Sequence, residues 1–167
     1  ADTGWLSPGT LENDTSYGDP LAPWLNPSNA ATEDGTNADC EEINSLNTPS
    51  NYLKATNFGA SIPAGSTIDG IEVRYKAQSH LLDGWIVAKL DRLRLVIGGT
   101  VQTVDRSDGQ AWPRTLTMYT LGGPTDTWDG PSRDDVVASD FGVVLSCAYD
   151  SGSGGFGTGV DVIQIKI

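Results

Sequence analysis

The single histidine of the chain, His80, restricts the hydrolytic chemistry that the chain can perform. A Ser-His-Asp triad would have to be built on this residue, and a two-histidine metal site such as HExxH cannot be built at all. The surrounding residues 78–84 are predicted to form a loop between strands. A solvated loop histidine accounts for His80 without any chemistry, so we predict no catalytic residue and no enzyme.

A glycine-rich run near the end of the chain, GSGGFG at residues 152–157, has the letters of a dinucleotide fingerprint. Such a fingerprint needs a following helix, whose N-terminus faces the pyrophosphate. Here the pattern predicts a strand instead, and no GxxxxGK[ST] motif for nucleotide phosphates occurs. We therefore predict a hairpin loop and no cofactor.

Carboxylates crowd two loop regions, and calcium is a cation that such oxygen ligands favour. The two groups are Glu33, Asp34 and Asp39, and then Asp126, Asp129, Asp134 and Asp135. Neither group matches the EF-hand pattern, and helix caps and turns use the same residue types. We predict no metal centre, with calcium at these carboxylates as the alternative. A carboxylate pair for glycoside hydrolysis needs a cleft and a carboxyl separation that a sequence does not display.

Trp112 and Trp128 are the candidate ligand or partner contacts, because both are predicted in loops that flank one strand. Together with Trp85, Tyr17 and Tyr119 they could form a stacking platform for sugar rings. The same rings could instead plug the core or contact another protein. We take this second role as the main interpretation and the sugar platform as the alternative.

Cys40 and Cys147 are the only two cysteines. They could form one disulfide that closes a long loop, or they could be two buried thiols that behave as small apolar groups. Two cysteines are too few for a disulfide scaffold, and their separation excludes a CxxC metal or redox motif. The sequence leaves both alternatives open.

The charge of the chain argues against nucleic acid as a partner. Its 22 acidic and 10 basic side chains give a formal charge of −12, which leaves no broad positive surface to displace counterions from phosphates. No stretch approaches the ~18 apolar residues of a membrane span, so membrane contact is not predicted either. The first residues lack the layout of a signal peptide, and we expect synthesis in the host cytoplasm followed by assembly.

The composition predicts an all-β protein, because 20 glycines and 9 prolines accompany a single methionine in 167 residues. Lys89 and Asp91 interrupt an alternating apolar face, which predicts a β-bulge or an exposed strand end near them. One helical turn is predicted at 131–137, with Ser132 as its N-cap and Asp135 three residues later. The predicted strands span residues 52–58, 68–77, 85–97, 100–104, 114–121, 141–149 and 160–167.

The pattern predicts one domain that consists of two parts. Residues 1–50 carry dense turn signals and are predicted to form an extended N-terminal arm with short strands, packed on the body. Residues 51–167 are predicted to form a single antiparallel β-sandwich of jelly-roll or Greek-key type. Arms with few internal contacts order against a neighbour, so the arm is also the predicted interface. Its candidate contact residues are Trp5, Leu6, Tyr17, Trp24 and Leu25.

Short runs of turn and core residues are spread over nearly the whole chain. They are SPGT at 7–10, ND at 13–14, WLNP at 24–27, NA at 29–30, SNYLKATNFG at 50–59, IP at 62–63, IDGI at 68–71, GG at 98–99, GGPTD at 122–126 with Trp128, FGV at 141–143 and VD at 160–161. In these runs the chain resembles a β-sandwich domain of the structural proteins of tailed bacteriophages. The resemblance implies a virion component without an enzymatic site, and Cys40 and Cys147 depart from its pattern.

The function that this resemblance implies is structural. We predict a capsid decoration or cement protein that stabilises the head of a bacteriophage by bridging capsomers on the virion surface. The predicted partners are the major capsid protein or other virion proteins, with the chain as a homo-oligomer or symmetric array. Each copy would gain affinity from an interface of standard size. The alternative is a carbohydrate- or receptor-binding module of a tail or head fibre.

Overall fold

The computed structural model describes residues 2–18, 21–41, 49–84, 87–152 and 154–167. The strands in these residues are β1 (Thr10–Asp14), β2 (Ala38–Cys40), β3 (Tyr52–Thr56), β4 (Ile71–Gly84), β5 (Val87–Ile97), β6 (Thr100–Val101), β7 (Thr117–Gly123), β8 (Gly142–Ser151) and β9 (Gly154–Lys166). A five-stranded sheet has the order β1-β3-β8-β5-β6, and a four-stranded sheet has the order β2-β9-β4-β7. A 3-10 helix (Pro27–Ala31) and one α-helix, α1 (Arg133–Val137), complete the described elements.

The two sheets pack face to face because side chains alternate along the strands. On β4, Ile71, Val73 and Tyr75 are completely buried, whereas Glu72 and Arg74 between them are partly exposed. Apolar side chains of β5, β8 and β9 join them in one hydrophobic core. The prediction of an antiparallel β-sandwich is confirmed.

Asp91 creates a β-bulge in β5. The pairing of β5 with β8 shifts register between Leu90 and Arg92, so Asp91 is the extra residue. Leu90 and Leu93 are therefore both buried in the core, while the Asp91 carboxylate accepts a 2.9 Å hydrogen bond from Ser146 Oγ. The register shift confirms the predicted bulge. Its physical reason is that, without the bulge, Asp91 would point inward as a buried unpaired charge.

The first fifty residues supply an edge strand to each sheet. β1 pairs with β3 in the five-stranded sheet, and β2 pairs with β9 in the four-stranded sheet. Leu6 forms an isolated bridge to Ile165, and the indole Nε1 of Trp24 donates a 2.8 Å hydrogen bond to the Asn51 carbonyl. The backbone of this segment is thus hydrogen-bonded into the sandwich, while a division at residue 50 stays a prediction.

Two predicted loops are wrong, because long strands pair where loops were expected. β4 continues to Gly84, so His80 lies in a strand and pairs with Gly157 of β9. β9 begins at Gly154, so most of the predicted hairpin loop at 152–157 belongs to a strand. Glycines in β9 have no side chain that alternation could reveal, which hid this pairing from the sequence pattern.

The predicted helical turn is confirmed as α1. The Ser132 hydroxyl accepts a 3.2 Å hydrogen bond from the backbone N–H of Asp135, and the Asp135 carboxylate accepts one of 2.7 Å from the backbone N–H of Ser132. This reciprocal pair is a capping box. In the part of the chain described, no helix is both long enough and apolar enough to cross a membrane.

Candidate functional site

The outward side chains of the five-stranded sheet line up in rows across its strands. One row consists of Asp14, Tyr52, Ser146 and Arg92, and the next consists of Glu12, Lys54, Val144 and Arg94. Side chains directly opposite each other on neighbouring strands are about 5 Å apart. Strand pairing therefore brings residues from four distant parts of the chain onto one surface, which we call the five-stranded face.

Tyr17 folds onto the five-stranded face from the loop that follows β1. Its ring centroid lies 5.1 Å from that of Tyr52 at an interplanar angle of 47°, and the Arg92 guanidinium lies 3.8 Å from the Tyr17 centroid. Arg92 Nη1 also donates a 3.1 Å hydrogen bond to the Tyr52 hydroxyl. Burial, and then the nearby carboxylate of Asp91, raise the pKa of Tyr17 to about 12. The two tyrosines and the arginine thus hold one another in place.

A groove of about 380 Å³ lies on this face. Its lining comes from β1 and the loop that follows, from β3 and β5, and from β6 with the turn before it. The polar side chains among its lining residues are Asp14, Ser16, Tyr52, Arg92, Arg94 and Thr100. A volume of this size falls within the range of small-ligand pockets, roughly 300–1,000 Å³. The groove can therefore hold a small ring-shaped ligand among convergent hydrogen-bonding groups.

Charges on the five-stranded face are organised around Lys54. Its ammonium lies 3.0 Å from Glu12 Oε1 and 3.3 Å from Asp14 Oδ2. Burial acts to raise the pKa of Asp14, but hydrogen bonds from Ser16 and the Lys54 ammonium lower it below its ordinary value. Asp14 is therefore a carboxylate at neutral pH and accepts hydrogen bonds.

The outer surface of the other sheet, which we call the four-stranded face, also carries an arginine beside an aromatic ring. Arg74 lies 4.4 Å from the centroid of Trp5. Arg74 Nε donates a 2.7 Å hydrogen bond to Gln164 Oε1, and Gln164 Nε2 donates one of 2.9 Å to Ser7 Oγ. Polar side chains on this face thus form a chain of mutual hydrogen bonds.

A larger cavity, of about 740 Å³, is lined by residues 2–3, by residues 61–70 with gaps, and by Glu72, Pro124, Lys166 and Ile167. The Thr3 backbone N–H donates a 2.9 Å hydrogen bond to the Ile167 carbonyl beside it. None of the described residues that line this cavity has an aromatic ring or a guanidinium. The smaller groove is the better candidate for a polar ring-shaped ligand, because it has both.

The five predicted contact residues of the arm do not lie on one surface. Trp24 is buried, whereas Leu25 is 45% exposed. Tyr17 belongs to the five-stranded face, and Trp5 belongs to the four-stranded face. Leu6 is half-buried against the core. Their role as an interface with another protein stays a prediction.

The suggestion that Trp112 and Trp128 contact a ligand is wrong, because both rings are buried. Trp112 is 0% exposed and Trp128 is 8% exposed. The Trp112 Nε1–H donates a 3.3 Å hydrogen bond to the Tyr75 hydroxyl, and that of Trp128 donates one of 2.9 Å to the Ile71 carbonyl. Both indoles fill the interior of the sandwich, and the Nε1–H of each is hydrogen-bonded. This agrees with the main interpretation of the sequence, in which these rings plug the core. Trp85 lies outside the described residues.

Cys40 and Cys147 are free thiols in the hydrophobic core, both completely buried. They come from different sheets, since Cys40 is in β2 and Cys147 is in β8. Burial, together with the neighbouring Cys40, raises the pKa of the Cys147 thiol well above its ordinary value. Of the two alternatives, the structure shows two buried thiols and no disulfide.

The acidic residues considered for calcium have protein partners. Arg106 donates to both carboxylate oxygens of Asp126 at 2.8 and 2.7 Å, and Asp135 caps α1. Within the described ranges, no three His, Cys, Asp or Glu side chains converge as a metal site. These carboxylates therefore act as caps and ion-pair partners.

The sequence pattern missed the residues that form the groove. In the sequence, Arg92 and Arg94 alternate with Leu93 and Leu95 and so lie opposite the apolar face of their strand, but no pattern connects them with Asp14 or Ser16. The available signal was two arginines two residues apart on one outward face of an otherwise acidic chain. That signal identifies the strand face, and it does not identify what the neighbouring strand or loop brings to it.

Three solved structures match nearly the full length of this chain. A family 4 carbohydrate-binding module is 15% identical, with a TM-score of 0.40 and coverage of 97% of this chain and 93% of that one. The CBM22-1 xylan-binding domain of Paenibacillus barcinonensis Xyn10C is 11% identical, with a TM-score of 0.42 and coverage of 97% and 84%. The N-terminal cellulose-binding domain of Cellulomonas fimi β-1,4-glucanase C is 12% identical, with a TM-score of 0.36 and coverage of 98% and 84%. Neither a family model nor a curated protein matches.

The prediction of a capsid decoration protein is wrong. The finding against it is that the three matching solved structures are carbohydrate-binding modules and none of them is a virion protein. The error has a physical reason. Turn and core residues carried the resemblance to phage proteins, and such residues specify a sandwich without specifying what its surface binds.

Proposed function

We propose that this chain is a non-catalytic carbohydrate-binding β-sandwich whose binding site is the groove on the five-stranded face. The observation that carries the proposal is the groove itself, a volume of about 380 Å³ in which a carboxylate, hydroxyls and two guanidiniums surround Tyr52. A sugar presents hydroxyl groups at its edge and C–H groups on its ring faces. It therefore needs hydrogen-bonding side chains and a flat apolar surface close together.

The groove supplies donors and acceptors of the kind that sugar hydroxyls pair with. Asp14 is an acceptor, while Arg92 and Arg94 are donors, and Ser16 and Thr100 can act as either. Tyr17 is half-buried beside Arg92, and in this proposal its exposed part contacts the apolar side of the sugar at the border of the groove. Because Arg92 and Tyr52 already hold Tyr17, little side-chain freedom would be lost on binding.

A blocking substitution tests this proposal. Ser16 is exposed and lines the groove, so Ser16→Trp would place a bulky ring in the binding volume. Thr120→Trp is the matched control, because Thr120 is an exposed residue of β7 in the other sheet. Calorimetric titration would use xylan and cellulose oligosaccharides, together with an acidic oligosaccharide.

We expect binding of at least one of these sugars by the unmodified chain and by Thr120→Trp, and its loss in Ser16→Trp. Circular dichroism would confirm that both variants keep the β spectrum. If the unmodified chain bound no sugar, or if Ser16→Trp bound as well as the control, the groove would not be the site.

Placement on a tail or head fibre of a tailed phage is a separate proposal, supported by the resemblance of the turn and core runs. Gold-labelled antibody against the chain, imaged on tailed-phage particles released by cells that carry its gene, would test that placement. Label on a fibre would support it, and particles without label would contradict it.

A further inference from the structure

The two guanidiniums of the groove lie on the same face of one strand. Arg92 and Arg94 are two residues apart on β5, a spacing that puts side chains on one side of a sheet roughly 7 Å apart. Both line the groove. An occupant of the groove therefore meets two positive charges from one strand.

Neither guanidinium is saturated by protein acceptors in the part of the chain that the structure describes. An arginine has five N–H donors, and Arg92 places one on Tyr52. Arg94 makes one long contact, 3.5 Å from Nε to Asp105 Oδ2, although its side chain is only 21% exposed. Because Arg94 lines the groove, its remaining donors can serve water or a ligand there, and a bound oxyanion would supply charged acceptors.

Two other arginines of the chain donate more hydrogen bonds to protein acceptors. Arg106 makes a two-pronged contact with both oxygens of Asp126. Arg133 donates through Nε and Nη2 to the Ile62 carbonyl at 2.8 and 2.6 Å, and through Nη1 to Asp134 at 2.9 Å. In a chain with 22 acidic and 10 basic residues, carboxylate partners are plentiful, yet the groove pairs its two arginines sparsely.

We infer that the groove selects an anionic sugar, one that carries a carboxylate or a sulfate ester, which is held by Arg92 and Arg94. This inference rests on the proposed carbohydrate function and names its ligand class. The planar guanidinium matches the paired oxygens of either group. Asp14, the acid that lines the groove, shares the Lys54 ammonium, at 3.3 Å, with Glu12 at 3.0 Å, so its charge is offset in part, and two guanidiniums line the groove against this one carboxylate.

The net charge of −12 repels an anionic chain from a distance, and screening decides how much this matters. At physiological salt, exposed charges farther than about 8 Å from the ligand are largely screened. The two guanidiniums would be in contact with the anion, where screening is weakest. The anion should therefore bind in spite of the acidic surface, and most clearly at moderate salt.

A matched set of ligands tests the inference. One oligogalacturonate is compared with the same oligosaccharide after its carboxyl groups have been reduced to alcohols, and with a sulfated galactan of similar length. At ~0.15 M salt we expect the anionic sugars to bind at least about tenfold more tightly than the reduced one. The carboxylated and sulfated arms show which anion is preferred.

Two substitutions separate charge from geometry. Arg94→Gln should lower the ratio of anionic to neutral affinity about tenfold, and Arg94→Lys should recover only part of it, because the ammonium lacks the planar fork. Arg74→Gln, on the opposite face, should leave the ratio unchanged. Equal or tighter binding of the reduced sugar would overturn the inference while leaving the proposed function intact. Binding of no sugar at all would overturn both.

Discussion

The two outer faces of the sandwich start from the same pair of groups, an arginine beside an aromatic ring. On the four-stranded face, Arg74 lies beside Trp5 and donates a hydrogen bond to Gln164, which in turn donates one to Ser7. On the five-stranded face, Arg92 beside Tyr17 borders a groove. Each of these arginines donates one hydrogen bond to a protein acceptor, so the difference teaches that a charged and aromatic surface becomes a candidate site when it borders an open volume.

The largest expected effect is on sugar affinity, when the arginine beside the aromatic ring is replaced by glutamine on one face and then on the other. Arg92→Gln should weaken sugar binding by about tenfold or more, because it removes a charged donor from the groove and the cation that holds Tyr17. Arg74→Gln should leave the affinity unchanged, since its partners lie on the other face. Calorimetry on both variants measures the contrast. Equal losses in the two variants would remove the distinction between the faces.

A smaller effect is expected from crowding the four-stranded face. A Cβ at Gly159 would lie 2.6 Å from Asn37 Nδ2 and 2.7 Å from His80 Nε2. Gly159→Ala should therefore push both side chains aside, disturb the 3.2 Å contact between His80 and Asp39, and lower the free energy of unfolding by about 1 kcal/mol. Urea denaturation measures the loss. The sugar affinity should not change, and a fall in affinity would place part of the site on this face.

The smallest expected effect is on the pKa values of two carboxylates, Asp14 and Glu33, each of which is paired with a lysine. Burial acts to raise the pKa of Asp14, but Ser16 and Lys54 lower it overall, whereas the pKa of Glu33 is lowered mainly by Lys76. Lys54→Gln should thus raise the pKa of Asp14, because the Ser16 hydrogen bonds alone would then oppose the effect of burial. Lys76→Gln should return the pKa of Glu33 close to 4.5. Carboxyl-detected NMR titrations of the two variants give both values.

The same titration has a consequence for stability. The folded pKa of Asp14 is depressed below 3.8, so its stabilising contribution is fully present above that pH. The contribution is lost as the pH falls further, through the folded pKa. Chemical denaturation of the unmodified chain and Lys54→Gln between about pH 5 and 2 should show a smaller loss in the variant. An identical pH dependence would mean that Lys54 adds nothing to the stabilisation of Asp14.

Local features of the fold were predictable from the residues alone. The bulge at Asp91 followed from a carboxylate that interrupts an apolar face, and the cap at Ser132 followed from Asp135 three residues later. Both depend on neighbours in sequence. The burial of Trp112 and Trp128 was not predictable, because an indole in a loop can point outward or inward and the opposite sheet decides which.

The alternation of side chains determined, without further information, that this chain has strands with one apolar and one polar face, and so that two sheets stack. Tertiary structure alone decided that Tyr17, Tyr52 and Arg92 meet. The physical reason is that alternation acts between neighbours along a strand. Contact across strands depends on register, on sheet order and on the path of a loop, which are settled only when the whole core packs.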